Sequence, residues 1–326
     1  MTPLKQKYKI VFAGTSDFGL ESLEKLYQDD SLEIKAVITQ PDKKTGRKQE
    51  LSSSPIKKEV LKKGLKLWQP LKIKDIEEKL QGEEVDLMVV ISYGQIIPQE
   101  ILDIPKFGCL NVHASLLPLY RGSGVISAPI LNGDEKTGVT IMKMDAGLDT
   151  GDILKQREVK LSERENSTSL KKKLAKIGSE ILTDTISEYL QGEIKPEPQD
   201  ESQASYIGNL KKQDGLIDWN LPALLIDRKI RALNPWPGTF SYIKLGRKKK
   251  KLFKILEAEP ICSKKAKQRV GSLFLSEEGE LLVQCGEDKL AIKTIQIEGK
   301  GAMGAKDFLR GYQELLPTPL EYDSNP

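Results

Sequence analysis

Three short apolar runs, each stopped by a glycine, proline or polar turn, constrain this chain more than any other feature. Lys7–Ala13 is rich in β-branched and aromatic residues and stops at Gly14; Ile34–Thr39 stops at Gln40-Pro41-Asp42; Asp86–Ile91 stops at Ser92-Tyr93-Gly94. After the first run, Leu20, Leu23 and Leu26 recur at helical spacing. Strands alternating with helices predict an α/β fold with a mostly parallel sheet, whose ligands lie at the carboxyl ends of the strands. Between the second and third strands, Asp42–Ser54 is polar and lysine-rich and is closed by Pro55, which predicts a loop.

A chain of 326 residues is longer than one core usually supports, so two domains are expected. The helical stretch Ser167–Leu190 gives way to Gln191-Gly192-Glu193 and then to the proline-rich, charged Lys195–Asp200. The division read from this is a first domain over 1–190, an extended connector over 191–205 and a second domain over 206–326. In the second, a helix at Pro222–Leu233 precedes short segments at Thr239–Lys244, Leu252–Glu257, Gly271–Leu275, Leu281–Gln284 and Ala291–Ile297, a spacing that suggests a small β-barrel.

The formal charge of +4 is unevenly distributed. Residues 206–326 hold 21 Lys+Arg against 15 Asp+Glu, whereas the rest of the chain holds 30 against 32. A nucleic-acid partner responds to such a local excess. Cys109, Cys262 and Cys285 have no paired spacing, which argues against a disulfide framework or zinc site and suits a reducing compartment. No apolar stretch approaches the about 20 residues that cross a bilayer, so no membrane role is expected and the protein is read as cytoplasmic.

The loop Gly14-Thr15-Ser16-Asp17-Phe18-Gly19 follows a strand and opens a helix. It lacks the middle glycine of G-x-G-x-x-G and the Gly-Lys-Ser/Thr ending of a P-loop, so neither dinucleotide nor ATP binding follows. An anion cradle and a tight packing turn both remain open.

His113 is the only histidine, and histidine is the residue type suited to moving protons near neutral pH. Alone it would more often be a hydrogen-bonded core residue than a catalyst. In Gly108-Cys109-Leu110-Asn111-Val112-His113-Ala114-Ser115, strand periodicity puts Asn111, His113 and Ser115 on one face, ended by Leu116-Leu117-Pro118. Downstream, Gly138–Lys143 reads as another strand, followed by Met144–Asp152 with three aspartates and two glycines. A carboxylate there could orient an imidazole. The aspartates could equally form turns, and their spacing does not match a calcium loop.

Several blocks in the same order resemble the folate-dependent formyltransferase family: Asn111–Pro118, Arg121-Gly122, Gly138–Met142 and Asp145–Asp152. Thr39-Gln40-Pro41-Asp42 with Gly46-Arg47, Gln69-Pro70, Ile230-Arg231-Ala232 with Asn234-Pro235-Trp236-Pro237, and Gly299–Met303 are similar to its branch that acts on methionyl-tRNA. The resemblance implies a Rossmann-like catalytic domain, a C-terminal OB-like barrel that binds tRNA, and a monomer. It also implies transfer of the formyl group of 10-formyltetrahydrofolate to the α-amino group of methionyl initiator tRNA, for translation initiation, with no metal.

By position, Asn111, His113 and Asp149 match catalytic residues. Tyr93, Gly94, Gln95, Ile96, Ile97 and Pro98, with Ser115, Leu116, Leu117 and Pro118, match folate-pocket segments. Arg47 matches a loop arginine that enters the tRNA acceptor stem. Lys43, Lys44 and Lys48 beside it, and Arg247, Lys248, Lys249, Lys250 and Lys251 in the barrel, are phosphate-contact candidates, with a solvated charged face as the alternative. The chain departs from the family at Ser123-Gly124-Val125-Ile126-Ser127, where Ala-Ala-Pro-Ile-Gln is usual, at Ser16, where proline is frequent, and at Lys43-Lys44. Formyl transfer to an amino sugar nucleotide and a non-catalytic RNA-binding role are the competing readings.

Overall fold

The computed structural model describes residues 7–45, 49–244, 250–262 and 268–321. Its contacts divide the chain into two units. The first comprises residues 1–125, 136–160 and 171–207; the second comprises 126–135, 161–170 and 208–326.

In the first unit the three expected apolar runs form strands β1 (Tyr8–Gly14), β2 (Leu32–Ile38) and β4 (Leu87–Ile91), the strands expected around Asn111 and at Gly138–Lys143 form β5 (Cys109–His113) and β6 (Lys136–Lys143), and β3 (Leu67–Trp68) and β7 (Ile153–Lys160) are added to them. They make one sheet in the order β7-β6-β5-β4-β1-β2-β3. The pairs from β5 through β3 are parallel, while β6 and β7 are antiparallel additions. β1 and β4 are buried along nearly their whole length, which is why they read as unbroken apolar runs without alternation. The chain moves outward from β1 to β3, then returns to β4 on the other side of β1. The carboxyl ends of β1 and β4 are therefore the point where the winding reverses, the usual place for a ligand crevice. One core cluster on this sheet joins Val11, Ala36, Val90, Tyr93, Ile97 and Ile101.

The segment expected as a loop over Asp42–Ser54 holds a short antiparallel ladder instead, Lys43–Thr45 against Glu50–Ser52. The 191–205 segment is extended, as its prolines suggest, but it is fastened along the first unit. Glu197 and Ile153 exchange backbone hydrogen bonds of 2.8 Å, and Tyr206–Ile207 adds a parallel pair to Arg121–Gly122. An extended backbone must place its N–H and C=O groups somewhere, and these edges take them.

In the second unit, β8 (Thr239–Ile243), β9 (Lys251–Ile261), β10 (Ser272–Leu275), β11 (Leu281–Gln284), β12 (Lys289–Ile297) and β14 (Thr318–Glu321) close a six-stranded antiparallel barrel through the β9–β12 pairing. The short strand β13 (Ala302–Gly304) adds to β12. All five segments expected as strands lie in it. Trp219, Ile226, Ile230, Phe253, Leu273 and Phe308 fill its core. The helix Ala223–Leu233 also carries Asp227, 1% exposed, which pairs with Arg231 at 2.8 Å and with Arg164 at 3.0 Å.

Candidate active site

Polar side chains stitch together the loops at the winding reversal. Thr15 Oγ1 donates to the Tyr93 carbonyl at 2.8 Å, and Gln40 Nε2 donates to the carbonyls of Tyr93 at 3.0 Å and Gly94 at 2.7 Å. Gly14 has a packing reason to be glycine: a Cβ there would lie 2.6 Å from the Phe12 ring and 3.0 Å from the Ile91 carbonyl. The packing-turn reading of that loop thereby gains support.

β5, beside β4, delivers Asn111 and His113 on one face. Asn111 Nδ2 donates to the Val90 carbonyl at 3.1 Å, while its Oδ1 is buried and accepts no hydrogen bond from any described residue. Buried acceptors are nearly always paired, so this oxygen is suited to a donor from outside the chain. β5 ends at His113, and Ser115 lies beyond it in the following turn. Its hydroxyl donates to the Leu119 carbonyl at 2.6 Å and closes that turn.

His113 is 6% exposed, with Nε2 3.0 Å from the Tyr120 carbonyl. A carbonyl only accepts, so Nε2 carries the hydrogen and Nδ1 faces Asp149 Oδ1 at 3.6 Å, longer than a hydrogen bond. Both groups facing the ring are acceptors.

Asp149 has φ +54°, a left-handed backbone that costs a non-glycine residue on the order of 1–3 kcal/mol and that functional sites often hold. Its Oδ2 accepts the Gly122 N–H at 2.8 Å. Asp145, in the same loop, folds onto it as a turn former, accepting from Gly147 N at 3.1 Å and Thr150 Oγ1 at 2.7 Å. Of the three aspartates, Asp149 alone is within 4 Å of a His113 ring nitrogen among the described residues.

The remaining expected site residues differ in what they offer. Tyr93 and Ile97 belong to the core cluster, and burial, with a smaller contribution from Asp75, pushes the Tyr93 phenol up to about 12. Gln95 is tied to the Leu71 carbonyl at 3.2 Å and the Ile73 N–H at 2.9 Å. Ile96 is 89% exposed, so this stretch presents backbone and one apolar side chain. Gly94 has φ +82°, a backbone that side chains rarely adopt, and Pro98 caps the short helix Gln99–Leu102. Leu117 is buried, its N–H bonded to Thr140 Oγ1 at 3.0 Å and its carbonyl to Gln156 Nε2 at 2.7 Å. Leu116 and Pro118, on either side, are half-buried.

Lys43 and Lys44 are exposed, and Lys43 hydrogen-bonds Gln40. Arg47 and Lys48 lie outside the described residues, as do Arg247, Lys248 and Lys249. Lys250 pairs with Glu321, and Lys251 opens β9 opposite Ile243. In the altered Ser123–Ser127 segment, the buried Ser127 hydroxyl donates to the Ala232 carbonyl at 2.8 Å within the second unit.

Sequence reasoning missed a polar cluster behind Asp149, in which the buried Arg121 and Gln199 meet the exposed Glu201 and Tyr206. Arg121 is fully buried and donates to Gln199 Oε1, to both Glu201 oxygens and to the Tyr206 hydroxyl, at 2.6–3.1 Å. The Glu201 bonds, foremost, raise the guanidinium above its ordinary value. Gln199 stands 78 positions from Arg121 and 50 from Asp149, so no local pattern marks it.

Asn111, His113 and Asp149 thus lie beside the winding reversal of an open α/β sheet. The chain belongs to the formyl transferase family, whose formyl transferase domain matches residues 8–186 and whose C-terminal domain matches residues 209–313. A methionyl-tRNA formyltransferase of Caldanaerobacter subterraneus subsp. tengcongensis is 42% identical over 307 residues, covering 93% of this chain and 97% of the relative. One from Pseudoalteromonas translucida is 41% identical over 310 residues, covering 94% and 95%. Among solved structures, an N-formyltransferase of Helicobacter canadensis in complex with folinic acid and dTDP-3-aminofucose superposes with a TM-score of 0.64 at 18% identity, over 87% of this chain and 98% of that one. HypX of Aquifex aeolicus in complex with tetrahydrofolic acid superposes at 0.60 with 17% identity over 93% of this chain, which spans 47% of HypX. At such identities the likeness concerns the fold.

Proposed function

We propose that the chain transfers the formyl group of 10-formyltetrahydrofolate to the free α-amino group of methionyl initiator tRNA, giving N-formylmethionyl-tRNA for translation initiation. The observation that carries this reading is the meeting of Asn111, His113 and Asp149 at the carboxyl edge of the sheet, in a chain 42% identical to a methionyl-tRNA formyltransferase.

The folate donor would supply the electrophilic formyl carbon and a leaving nitrogen. The unpaired buried Asn111 Oδ1 fits a ligand that brings an N–H, and the stretch Tyr93–Pro98, exposed at Gly94 and Ile96, with the turn Ser115–Pro118 would hold it. An α-amino group titrates near 7.7–8.0, so at neutral pH roughly a tenth or more is already a nucleophile and needs positioning more than deprotonation. In its protonated form His113 would place positive charge where attack puts negative charge on the formyl oxygen. Asp149 faces that ring and offers Oδ1 as the acceptor for the proton the amine must lose, which is passed on to the folate nitrogen as its bond to the formyl carbon breaks. Asn111 orients the reacting groups through its amide.

The second unit, with its basic excess, supports the tRNA role, together with Lys43, Lys44, Arg47 and Lys48 of the first. No helix among the described residues is long and apolar enough to cross a membrane, which is compatible with work in the cytoplasm.

The deciding experiment is formyl transfer to methionyl initiator tRNA, run beside uncharged tRNA, elongator methionyl-tRNA, an amino sugar nucleotide and the His113→Ala variant. Product on the charged initiator, lost by orders of magnitude in the variant, supports the reading. Product on the sugar alone, or tRNA binding without turnover, sinks it.

A further inference from the structure

We infer that Gln199 is a positioning residue for Asp149, anchored by buried Arg121; the inference rests on the proposed reading of Asp149 as part of the catalytic set. The amide nitrogen of Gln199 donates to two carbonyls of one loop, Asp149 at 2.9 Å and Gly151 at 2.7 Å. A single NH2 group thus clamps both sides of the turn in which Asp149 sits at φ +54°. The Gln199 oxygen accepts from Arg121 Nε at 3.1 Å and from Nη2 at 2.8 Å. A guanidinium has only donors, so the amide cannot be turned round: its oxygen must face Arg121 and its nitrogen must face the loop.

Arg121 is fixed in turn. It is fully buried, forked onto Glu201 and bonded to Tyr206. The backbone around it is held as well, with Arg121 N bonded to the Ser205 carbonyl at 2.8 Å and Ser123 N to the Ile207 carbonyl at 3.1 Å. That fixes the next residue, Gly122, whose N–H donates to Asp149 Oδ2 at 2.8 Å. Arg121 therefore reaches Asp149 by two routes: through Gln199 to its main chain, and through Gly122 to its carboxylate. Gln199 touches no reacting atom; its work is to keep Asp149 Oδ1 turned toward His113.

The test places Gln199→Leu and Gln199→Glu in the wild-type and Asp149→Asn backgrounds of the full chain, with formyl transfer to methionyl initiator tRNA as one readout. Gln199→Leu removes both functions of the amide, whereas Gln199→Glu keeps oxygen on Arg121 and loses the donors to the loop. If the Leu variant does not fold, the Glu variant makes the same comparison. We expect kcat to fall about 10- to 100-fold with KM for both substrates within about twofold, and less than about threefold further loss in the Asp149→Asn background. A second readout needs no turnover: the Gly122 amide should exchange hydrogen at least about tenfold faster in the Gln199 variants. Losses that multiply in the double variants, or unchanged kcat with unchanged Gly122 protection, overturn the inference. A wild-type chain inactive on methionyl-tRNA sinks the functional reading instead, and the exchange measurement still decides whether Gln199 holds Asp149.

Discussion

The Gly122 N–H donates to Asp149 Oδ2 at 2.8 Å, joining a glycine at φ +110° to an aspartate at φ +54°. Two unusual backbones thus hold one carboxylate. A Cβ on Gly122 would lie 2.2 Å from the Ile207 carbonyl oxygen, a backbone atom with little freedom to move. Gly122→Ala should lower stability by about 2 kcal/mol or more and reduce kcat at least about tenfold, because strain and displacement add. Urea unfolding and single-turnover formyl transfer measure the two effects separately.

Asp149→Asn keeps an acceptor for Gly122 and removes the charge facing His113. The expected result is a kcat lower by about 10²–10⁴ with little change in unfolding midpoint. A variant within threefold of wild type would remove Asp149 from the chemistry.

Asn111→Ala deletes one hydrogen bond, to the Val90 carbonyl, together with a buried acceptor that has no partner among the described residues. Those terms oppose each other, so stability should change by about 1 kcal/mol or less. Turnover should fall about 10²–10³-fold. Calorimetry beside steady-state kinetics tests the contrast.

The bonds from Arg121 hold the Glu201 carboxyl below the ordinary glutamate value of 4.5. Folding therefore favours its ionised form. The resulting stability is complete above 4.5 and disappears as pH falls through the lower folded value. The gap in unfolding midpoint between wild type and Glu201→Gln should narrow as pH is lowered from about 6 to about 3. A gap that widens toward acid would contradict the pairing.

Lys250 already has a carboxylate partner in Glu321, while Lys44 stands exposed on the Lys43–Thr45 strand. Filter binding of methionyl-tRNA across salt concentrations should therefore show a larger loss for Lys44→Ala than for Lys250→Ala. Arg47→Ala should lower the slope of log K against log salt by about one.

The sheet was legible because strands buried on both faces leave unbroken apolar runs, as β1 and β4 do. Asn111 and His113 were legible for a related reason: a two-residue spacing on a strand is itself a statement about facing. Asp149 needed the resemblance, since three aspartates in nine residues give no local ground for preferring one. Ser115 was read as a strand residue, but β5 ends at His113 and Leu119 takes its hydroxyl. Gln199 could not be read at all, because side chains that meet across 50 and 78 positions leave no periodicity. The Lys43–Thr45 ladder was hidden by lysines, which loops and exposed strands share.

Residues 161–170 group with the barrel although nearly forty residues separate them from it, and the Arg164 among them shares the buried Asp227 with Arg231. The barrel is consequently not a transferable cassette. A gene fragment starting at codon 206 would strand Asp227 with one cation where it now has two, and would leave out 126–135 as well. Recombination that exchanges C-terminal barrels between relatives should therefore succeed only when these two upstream pieces travel with their own barrel.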